Sequence, residues 1–361
     1  MKKIFVFLFA IAILFRVSAQ IPVGYYDAAA GLSGLPLKTA LFNIIKNHTT
    51  LSYTPGLWTA FQTTDVKPNG KVWDVYSDVP GGTPPYEYTF VTNQCGSYTS
   101  EGDCYNREHS LPESWFAGAS PMYSDLFHIY PTDGKVNGQR SNYPLADVGS
   151  VSWTSMNGSK LGSCSDAGYT GTVFEPIDEY KGDFARSYFY MATCYENVIA
   201  NWYSNSTEAN AVLSNNSGLV FETWYINTLL AWDTNDPVSP KEVDRNNAIY
   251  AVQNNRNPYI DHPEWVLAIW GPTAGIRTTD VSDYLSLFPM PAKDYITINL
   301  NRADLDIKKV VLYTMSSGML QSYPVVGKSV TIKLNDYAAG VYFVRIFTNN
   351  EVIQKKIVVV K

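Results

Sequence analysis

The sequence places an adjacent Glu108–His109 pair about thirty residues before an Asn137–Gly138 step. A carboxylate and an amide carbonyl are oxygen ligands that suit a hard divalent cation, and such a cation keeps several waters, so two protein ligands can suffice. A histidine has a pKa near neutrality and is suited to general-base catalysis. These side chains could therefore hold a cation and deprotonate a water, as the hydrolysis of a phosphodiester requires.

The geometry of strands limits where such a pair can sit. Adjacent residues on a regular strand face opposite ways, so Glu108 and His109 can serve one site only at a strand end or in a loop. Pro112 ends the first strand at the required place. Residues 124–131 predict a second strand, followed by a capped helix with Asn137 in its first turns. A hairpin and a helix that clasp one metal form a ββα-metal finger.

Further elements are predicted around this segment. Residues 37–48 and 221–232 have apolar side chains at helical spacing, and residues 239–254 predict a helix with Pro240 in its first turn. The alternating segments 72–78 and 86–92 predict strands. We therefore expect an α+β fold for this part of the chain.

The composition is that of a globular chain, and its charge is unevenly distributed. Hydrophobic residues make up 45% and charged residues 17% of the chain. Its length of 361 residues is enough for about two domains. Residues 20–280 contain 14 basic and 27 acidic residues, a net charge of −13. Such a domain should not attract a polyanion through its average field. The site itself must supply the attraction, and a bound cation is one means of doing so.

The first residues predict a secretory signal peptide, residues 1–19. Two lysines precede the short apolar run 4–14, and small residues at 17–19 form a cleavage pattern. The run is too short to span a bilayer, and we expect no stable membrane span.

Export permits disulfide bonds. The four cysteines, Cys95, Cys104, Cys164 and Cys194, allow three pairings. Cys95 and Cys104 flank a loop rich in glycine and serine, which favours a bond between them. The alternative is four buried thiols.

The C-terminal region has a different character. We expect a linker at residues 272–284 and, at 285–361, a small all-β sandwich of five or more alternating strands. The region resembles the C-terminal sorting domains of the type IX secretion system, through FPMPAKDYITI, GVYFVRI and the terminal KKIVVVK. This resemblance implies export by the type IX secretion machinery to the medium or the cell surface, after passage through the periplasm.

The central segment resembles the endonuclease I family of the ββα-metal superfamily. The resemblance rests on NREHSLPESWF, SDLFHIYPTDGKVNGQRSNYP, FEPIDEYKGDFAR and RNPYIDHPEWV. It implies a nuclease domain at residues 20–271, with Glu108 and Asn137 as metal ligands and His109 as general base. It further implies non-specific cleavage of DNA, and often of RNA, with 5′-phosphate products.

The remaining site residues are also expectations. Arg140 is our candidate catalytic arginine for phosphate contact, with Arg107 as the runner-up. We assign substrate binding to Arg107 and Asn142. We expect Mg²⁺ as the ion, with Mn²⁺ and Ca²⁺ as alternatives, and a monomeric protein.

Two other function classes were considered. A zinc protease needs an HExxH order, which is absent, and Pro112 interrupts the helix that this order requires. A non-catalytic cell-surface binding module or adhesin would fit the sorting domain and the acidic charge. The joint presence of Glu108, His109 and Asn137 argues for an enzyme.

Overall fold

The structure is a computed structural model, and it describes residues 21–271, 284–302, 306–314, 319–348 and 352–361. The predicted signal peptide, and all of the predicted linker except residue 284, lie outside the described residues. Among the described residues, no helix combines the length and the apolar character needed to cross a bilayer.

The first region is a mixture of helices and short strands, as expected for an α+β fold. Its α-helices and strands are, in chain order, α1 Gly34–Ile45, α2 Gly56–Thr64, β1 Tyr105–His109, β2 Ile129–Asp133, α3 Gly134–Arg140, β3 Val148–Thr154, β4 Lys160–Cys164, β5 Thr172–Glu175, α4 Lys181–Cys194, α5 Thr207–Val212, α6 Thr223–Asn235, α7 Pro240–Gln253, α8 Pro258–Asp261 and α9 Glu264–Trp270. Strands β1 and β2 form one antiparallel hairpin, and β3, β4 and β5 form a separate antiparallel sheet.

Helix α4 lies at the centre of this region. Every residue from Gly182 to Cys194 is buried, which is the behaviour of a helix enclosed on all sides rather than an amphipathic surface helix. Helices α1, α6 and α8 pack around it. The start of helix α7 is well specified by its local sequence. Ser239 and Glu242 form a reciprocal capping box at the start of α7, with Pro240 in the first turn, as its sequence predicts.

The predicted strands at 72–78 and 86–92 are wrong. The Asp74 carboxylate accepts a hydrogen bond from the backbone N–H of Tyr76, and the Asp74 carbonyl accepts one from the N–H of Asp78. The Asn93 side chain likewise accepts a bond from the N–H of Thr89. These aspartate and asparagine contacts give the backbone a turn in place of a strand ladder, and they override the alternating pattern.

The C-terminal region has a core of its own. Its strands are β6 Leu285–Phe288, β7 Tyr295–Leu300, β8 Ile307–Thr314, β9 Met319–Gly327, β10 Ser329–Lys333, β11 Gly340–Thr348 and β12 Val352–Val359. They form one sheet in the order β10-β7-β6 and another in the order β12-β11-β8-β9. Both sheets contribute alternate residues to a single apolar cluster, including Ile296, Ile298, Ile332, Leu312, Val344 and Ile346. The predicted small sandwich is confirmed.

The buried Arg186 of α4 provides a test of the core. Its guanidinium donates to both carboxylate oxygens of Glu242, at 2.5 and 2.9 Å, and to Asp233 at 2.9 Å. Removing one partner of a buried ion pair leaves an uncompensated charge and costs about 3–5 kcal/mol. We expect Arg186→Met to lower the thermal midpoint by roughly 10 °C, as measured by calorimetry.

The matched control for this prediction is Asp178→Asn. Asp178 also pairs with a cation, Lys181, at 2.8 Å, but its side chain is 87% exposed. Its removal should cost less than about 1 kcal/mol. Equal shifts in the two variants would contradict the role given to the Arg186 network.

Candidate active site

The hairpin β1–β2 and the helix α3 bring the predicted residues together. Glu108 pairs with Tyr130, and His109, the last residue of β1, pairs with Ile129. The Asp133 carboxylate caps α3 by accepting a bond from the N–H of Val136 at 2.8 Å, so Asn137 falls in the first turns of the helix. The chain therefore forms a hairpin followed directly by a helix, as predicted.

The second strand begins later than predicted, at Ile129 rather than Ser124. Residues Met122–Ser124 form a turn of 3₁₀-helix, and the Asp125 side chain accepts a bond from the N–H of Phe127. His128 precedes the strand and is fully buried, with its Nε2 at 2.7 Å from the Met122 carbonyl oxygen. This is a structural contact of a buried histidine.

Glu108 is buried and is held at one of its two carboxylate oxygens. Oε1 accepts a hydrogen bond from the Tyr76 hydroxyl at 2.9 Å and pairs with the Arg140 guanidinium at 3.0 Å. Burial raises the pKa of Glu108 to about 7, while Arg140 and the Tyr76 hydroxyl act in the opposite direction. Among the described residues no hydrogen bond is made to Oε2, so this oxygen can serve as a ligand.

His109 is oriented by a backbone carbonyl. Its Nε2 lies 3.3 Å from the oxygen of Tyr123. Because a carbonyl only accepts, Nε2 carries the proton, and Nδ1 has the lone pair. The rings of Tyr53 and Tyr123 stack with the imidazole at centroid distances of 6.0 and 5.5 Å. Burial, together with the neighbouring His128, lowers the pKa of His109 to about 3, so the imidazole is neutral at pH 7.

Asn137 is held through its amide nitrogen. Nδ2 donates to Oδ1 of Asn106 at 2.8 Å and faces the carbonyl oxygen of Arg107 at 3.4 Å. Oδ1 of Asn137 accepts no hydrogen bond from a described residue. The side chain thus keeps its carbonyl oxygen available as a cation ligand.

Arg140 faces the interior, and this placement does not support the phosphate contact expected of it. It is 1% exposed. Its Nη1 donates to the His109 carbonyl at 2.7 Å, its Nη2 donates to the Ser110 carbonyl, and the guanidinium pairs with Glu108. The residue fastens the end of α3 to the end of β1.

Arg107 is half-buried and lies between two aromatic rings. The guanidinium carbon is 3.6 Å from the centroid of Tyr53 and 4.4 Å from that of Trp58. Nη1 donates to the Tyr53 carbonyl at 2.6 Å and to the Thr54 hydroxyl at 2.7 Å. Arg107 and His109 are two residues apart on β1 and share a strand face. The exposed Asn142, by contrast, makes no hydrogen bond with a described residue.

A loop closed by a disulfide packs against α3. Cys95 and Cys104 are bonded, with their Cα atoms 5.8 Å apart, which confirms the predicted pair, and Cys164 and Cys194 are free thiols. Tyr98 of this loop lies over two glycines of α3. A Cβ atom on Gly134 would meet the Tyr98 ring at 2.5 Å, and one on Gly138 would meet its hydroxyl at 2.5 Å. The absence of a side chain at Gly134 and Gly138 therefore allows Tyr98 to pack closely on α3.

Sequence reasoning missed the residues that support the site. Tyr53 and Tyr76 come from segments far from the hairpin in sequence, whereas Tyr98 lies in the loop directly before β1. Nothing in the chain singles out these three among the 26 tyrosines. Asn106 could have been found, because it stands two residues before Glu108 and so lies on the same strand face.

A second group of potential metal ligands lies elsewhere. Atoms of His48, Asp125 and Cys194 come within 4.8 Å of one another. However, Oδ2 of Asp125 already accepts bonds from the hydroxyls of Tyr190 and Tyr195, at 2.8 and 2.7 Å. We interpret this group as a satisfied buried hydrogen-bond network.

Comparison with known sequences agrees with this geometry. The profile described as Endonuclease I matches residues 33–264. The chain belongs to the endonuclease I family. A second profile, Secretion system C-terminal sorting domain, matches residues 286–360. Both matches fall inside the predicted domains 20–271 and 285–361, whose exact boundaries stay predictions.

Individual relatives are named as nucleases. This endonuclease is 35% identical to an extracellular ribonuclease of Bacillus amyloliquefaciens over 252 residues, 68% of this chain and 78% of the relative. It is 34% identical to the extracellular ribonuclease of Bacillus subtilis, with the same coverage. It is 28% identical to a periplasmic deoxyribonuclease of Aeromonas hydrophila over 142 residues, 39% of this chain and 48% of the relative.

The family and the sorting domain decide two of the questions left by the sequence. The protein is an endonuclease, and it is secreted or attached to the cell surface. The alternative of a non-catalytic binding module is not supported. The substrate is a nucleic acid, and the sorting domain implies export by the type IX secretion machinery.

Because Tyr98 packs against Gly138, we predict that the effect of Gly138→Ala on stability changes sign when Tyr98 is removed. In the wild-type protein, Gly138→Ala forces a Cβ into the tyrosine, and such overpacking costs about 1–3 kcal/mol. In a Tyr98→Ala background the same change should stabilise the protein by about 0.5–1 kcal/mol, because alanine is the better helix former.

Urea unfolding of the four proteins measures this cycle. A destabilisation by Gly138→Ala of the same size in both backgrounds would show that the glycine is required by something other than Tyr98.

Proposed function

We propose that this endonuclease hydrolyses nucleic-acid phosphodiesters with a divalent cation held by Glu108 and Asn137 and with His109 as the general base. The observation that carries the proposal is the contact between Nε2 of His109 and the carbonyl oxygen of Tyr123. The Tyr123 carbonyl keeps the proton on Nε2, so a neutral imidazole has Nδ1 ready to accept a proton from water.

The residues present fit a hard cation. The endonuclease I family depends on a metal in general. Glu108 keeps Oε2 and Asn137 keeps Oδ1 free of hydrogen bonds to described residues, and both are oxygen atoms of the kind that Mg²⁺, Mn²⁺ and Ca²⁺ prefer. A bound cation would neutralise charge that develops on the phosphate and stabilise the leaving oxygen. Mg²⁺ is our first choice of ion.

His109 carries the proton transfer in this scheme. Nδ1 accepts a proton from water while the resulting hydroxide attacks phosphorus, and the bond between phosphorus and the 3′ oxygen breaks. The 3′ oxygen takes a proton from solvent, so the products carry a 3′-hydroxyl and a 5′-phosphate. The carbonyl of Tyr123 then stabilises the imidazolium through Nε2–H. The stacked rings of Tyr53 and Tyr123 keep the imidazole in one orientation throughout.

The two arginines have different roles in this proposal. Arg140 is buried, and its two Nη atoms contact Glu108 and the carbonyls of His109 and Ser110, so it positions the ligand and the base. Arg107 is half-exposed, and its Nε and Nη2 make no hydrogen bond with a described residue. Its guanidinium is therefore the better candidate to bind a substrate phosphate. Asn142, exposed just beyond α3, is proposed to contact substrate at the rim.

The substrate is proposed to include RNA as well as DNA. The relatives matched over 252 residues are named ribonucleases, and the deoxyribonuclease of Aeromonas hydrophila is matched over 142 residues. Nothing in the finger distinguishes a 2′-hydroxyl, since its ligands and base act on the phosphodiester that both polymers share.

The proposal predicts a large loss of activity on removal of the base. His109→Ala should reduce cleavage of plasmid DNA and of RNA about 10²–10⁴-fold, the usual contribution of general-base catalysis. Wild-type activity should vanish in EDTA and return with added Mg²⁺, and Mn²⁺ and Ca²⁺ are compared in the same assay.

His262→Ala is the matched control. His262 is partly exposed and contacts Glu264 at 3.1 Å, so its loss should leave cleavage unchanged. If His109→Ala still cleaved within tenfold of the wild-type rate, another group would have to be the base.

Arg107 makes a separate prediction about binding. Because each protein–phosphate contact releases counterions, Arg107→Ala should reduce the slope of log affinity against log salt by about 1. Fluorescence anisotropy with a labelled oligonucleotide, in a His109→Ala background, measures the slope without cleavage.

Lys333→Ala, an exposed cation of β10, removes the same charge and should leave the slope unchanged. Arg107→Lys keeps the charge but loses the planar group held between two rings, and should bind with intermediate affinity. An unchanged slope in Arg107→Ala would remove Arg107 from the phosphate contacts.

A further inference from the structure

The side chain of Asn137 has an orientation problem that any metal ligand of this type must solve. A carboxamide has one oxygen and one nitrogen of similar shape, and a turn of its terminal torsion exchanges them. A hard cation is bound by the oxygen. An asparagine without a fixed partner would present the wrong atom part of the time, and this would weaken the site.

The surroundings of Asn137 allow one orientation. The carbonyl oxygen of Arg107, 3.4 Å away, can only accept a hydrogen bond, so the Asn137 atom that faces it must be the nitrogen. The Oδ1 atom of Asn106, at 2.8 Å, accepts a stronger bond from the same Nδ2. The shorter contact is made by a side chain, and a substitution can therefore remove it.

The position of Asn106 on the hairpin also connects it with Glu108. It lies two residues before Glu108 on β1 and shares its strand face, and it pairs across the hairpin with Thr132. One strand face thus supplies both a proposed ligand, Glu108, and the partner of the other ligand, Asn137. Strand β1 therefore contacts or contributes both proposed ligands.

We propose that Asn106 is a positioning residue that holds the carboxamide of Asn137 with its oxygen toward the cation. This inference rests on the proposed function, because it assumes that Asn137 is a ligand. Outer-shell partners of metal ligands typically contribute 10–100-fold to metal affinity. In this proposal Asn106 does not ligate the ion, and its Oδ1 serves to accept the bond from Nδ2 of Asn137.

The test measures metal binding directly, in the full mature protein. Isothermal titration with Mn²⁺ compares wild type, Asn106→Ala, Asn106→Asp and Asn137→Ala. We expect Asn106→Ala to raise the Kd for Mn²⁺ 10–100-fold. Asn106→Asp should stay within a few-fold of wild type, because a carboxylate oxygen accepts the same bond from Nδ2.

Two further measurements separate positioning from a structural role. Asn43→Ala is the matched control, since Asn43 is exposed on α1 and its side chain bonds only within that turn of the chain, to the Thr39 carbonyl and the Lys46 ammonium. In EDTA, Asn106→Ala and Asn43→Ala should unfold at the same temperature, within about 2 °C. Cleavage by Asn106→Ala should recover at saturating Mn²⁺, so that the defect lies in metal affinity and not in turnover.

The outcomes that overturn the inference differ from those that overturn the proposed function. An unchanged Kd in Asn106→Ala, or an equally large loss in Asn106→Asp, would reject the positioning role alone. Binding by Asn106→Asp more than tenfold tighter than wild type would make residue 106 a direct ligand and would also reject it. If Asn137→Ala bound Mn²⁺ as wild type does, or wild type bound none, the proposed metal site itself would fail.

Discussion

The finger depends on the contacts that the buried guanidinium of Arg140 makes with β1. This group is fully buried, and it contacts the Glu108 carboxylate and the carbonyls of His109 and Ser110. A buried charge is costly unless it is paired and hydrogen-bonded. The same contacts that pair Arg140 join the last residue of α3 to the end of β1, so Glu108, His109 and the helix that carries Asn137 form one unit.

The acidic charge of residues 20–280 fits this arrangement. Arginines of this region form buried ion pairs. Arg186 pairs with Glu242 and Asp233, and Arg245 pairs with Asp65 at 2.7 Å. They stabilise the fold without attracting substrate. Arg107 differs because its partners are aromatic rings, a hydroxyl and a carbonyl, so its positive charge is not cancelled by a neighbouring carboxylate. In the proposed function, a polyanion is thus attracted by Arg107 and the bound cation and not by the average field of the region.

Local sequence signals were sufficient to predict the finger, but they could not predict contacts between residues distant in sequence. Pro112 placed Glu108 and His109 at a strand end, and the cap at Asp133 placed Asn137 in a helix. Whether Arg140 faces solvent or the interior depends on Tyr188 and Ser110 behind it, which no spacing reveals. At residues 72–78 a local signal was misleading. The alternating pattern predicts a strand, but the Asp74 side chain stabilises a turn, and this turn places the Tyr76 hydroxyl against Glu108.

The disulfide makes the packing around Asn137 depend on the compartment in which the enzyme works. Cys95 and Cys104 close the loop that carries Tyr98, and Tyr98 packs against Gly134 and Gly138 on either side of Asn137. A closed loop has less conformational freedom to lose when it folds, so the bond favours the seating of Tyr98 on α3. Because disulfides persist in oxidising environments, export supplies the condition under which the helix carrying Asn137 is most firmly held.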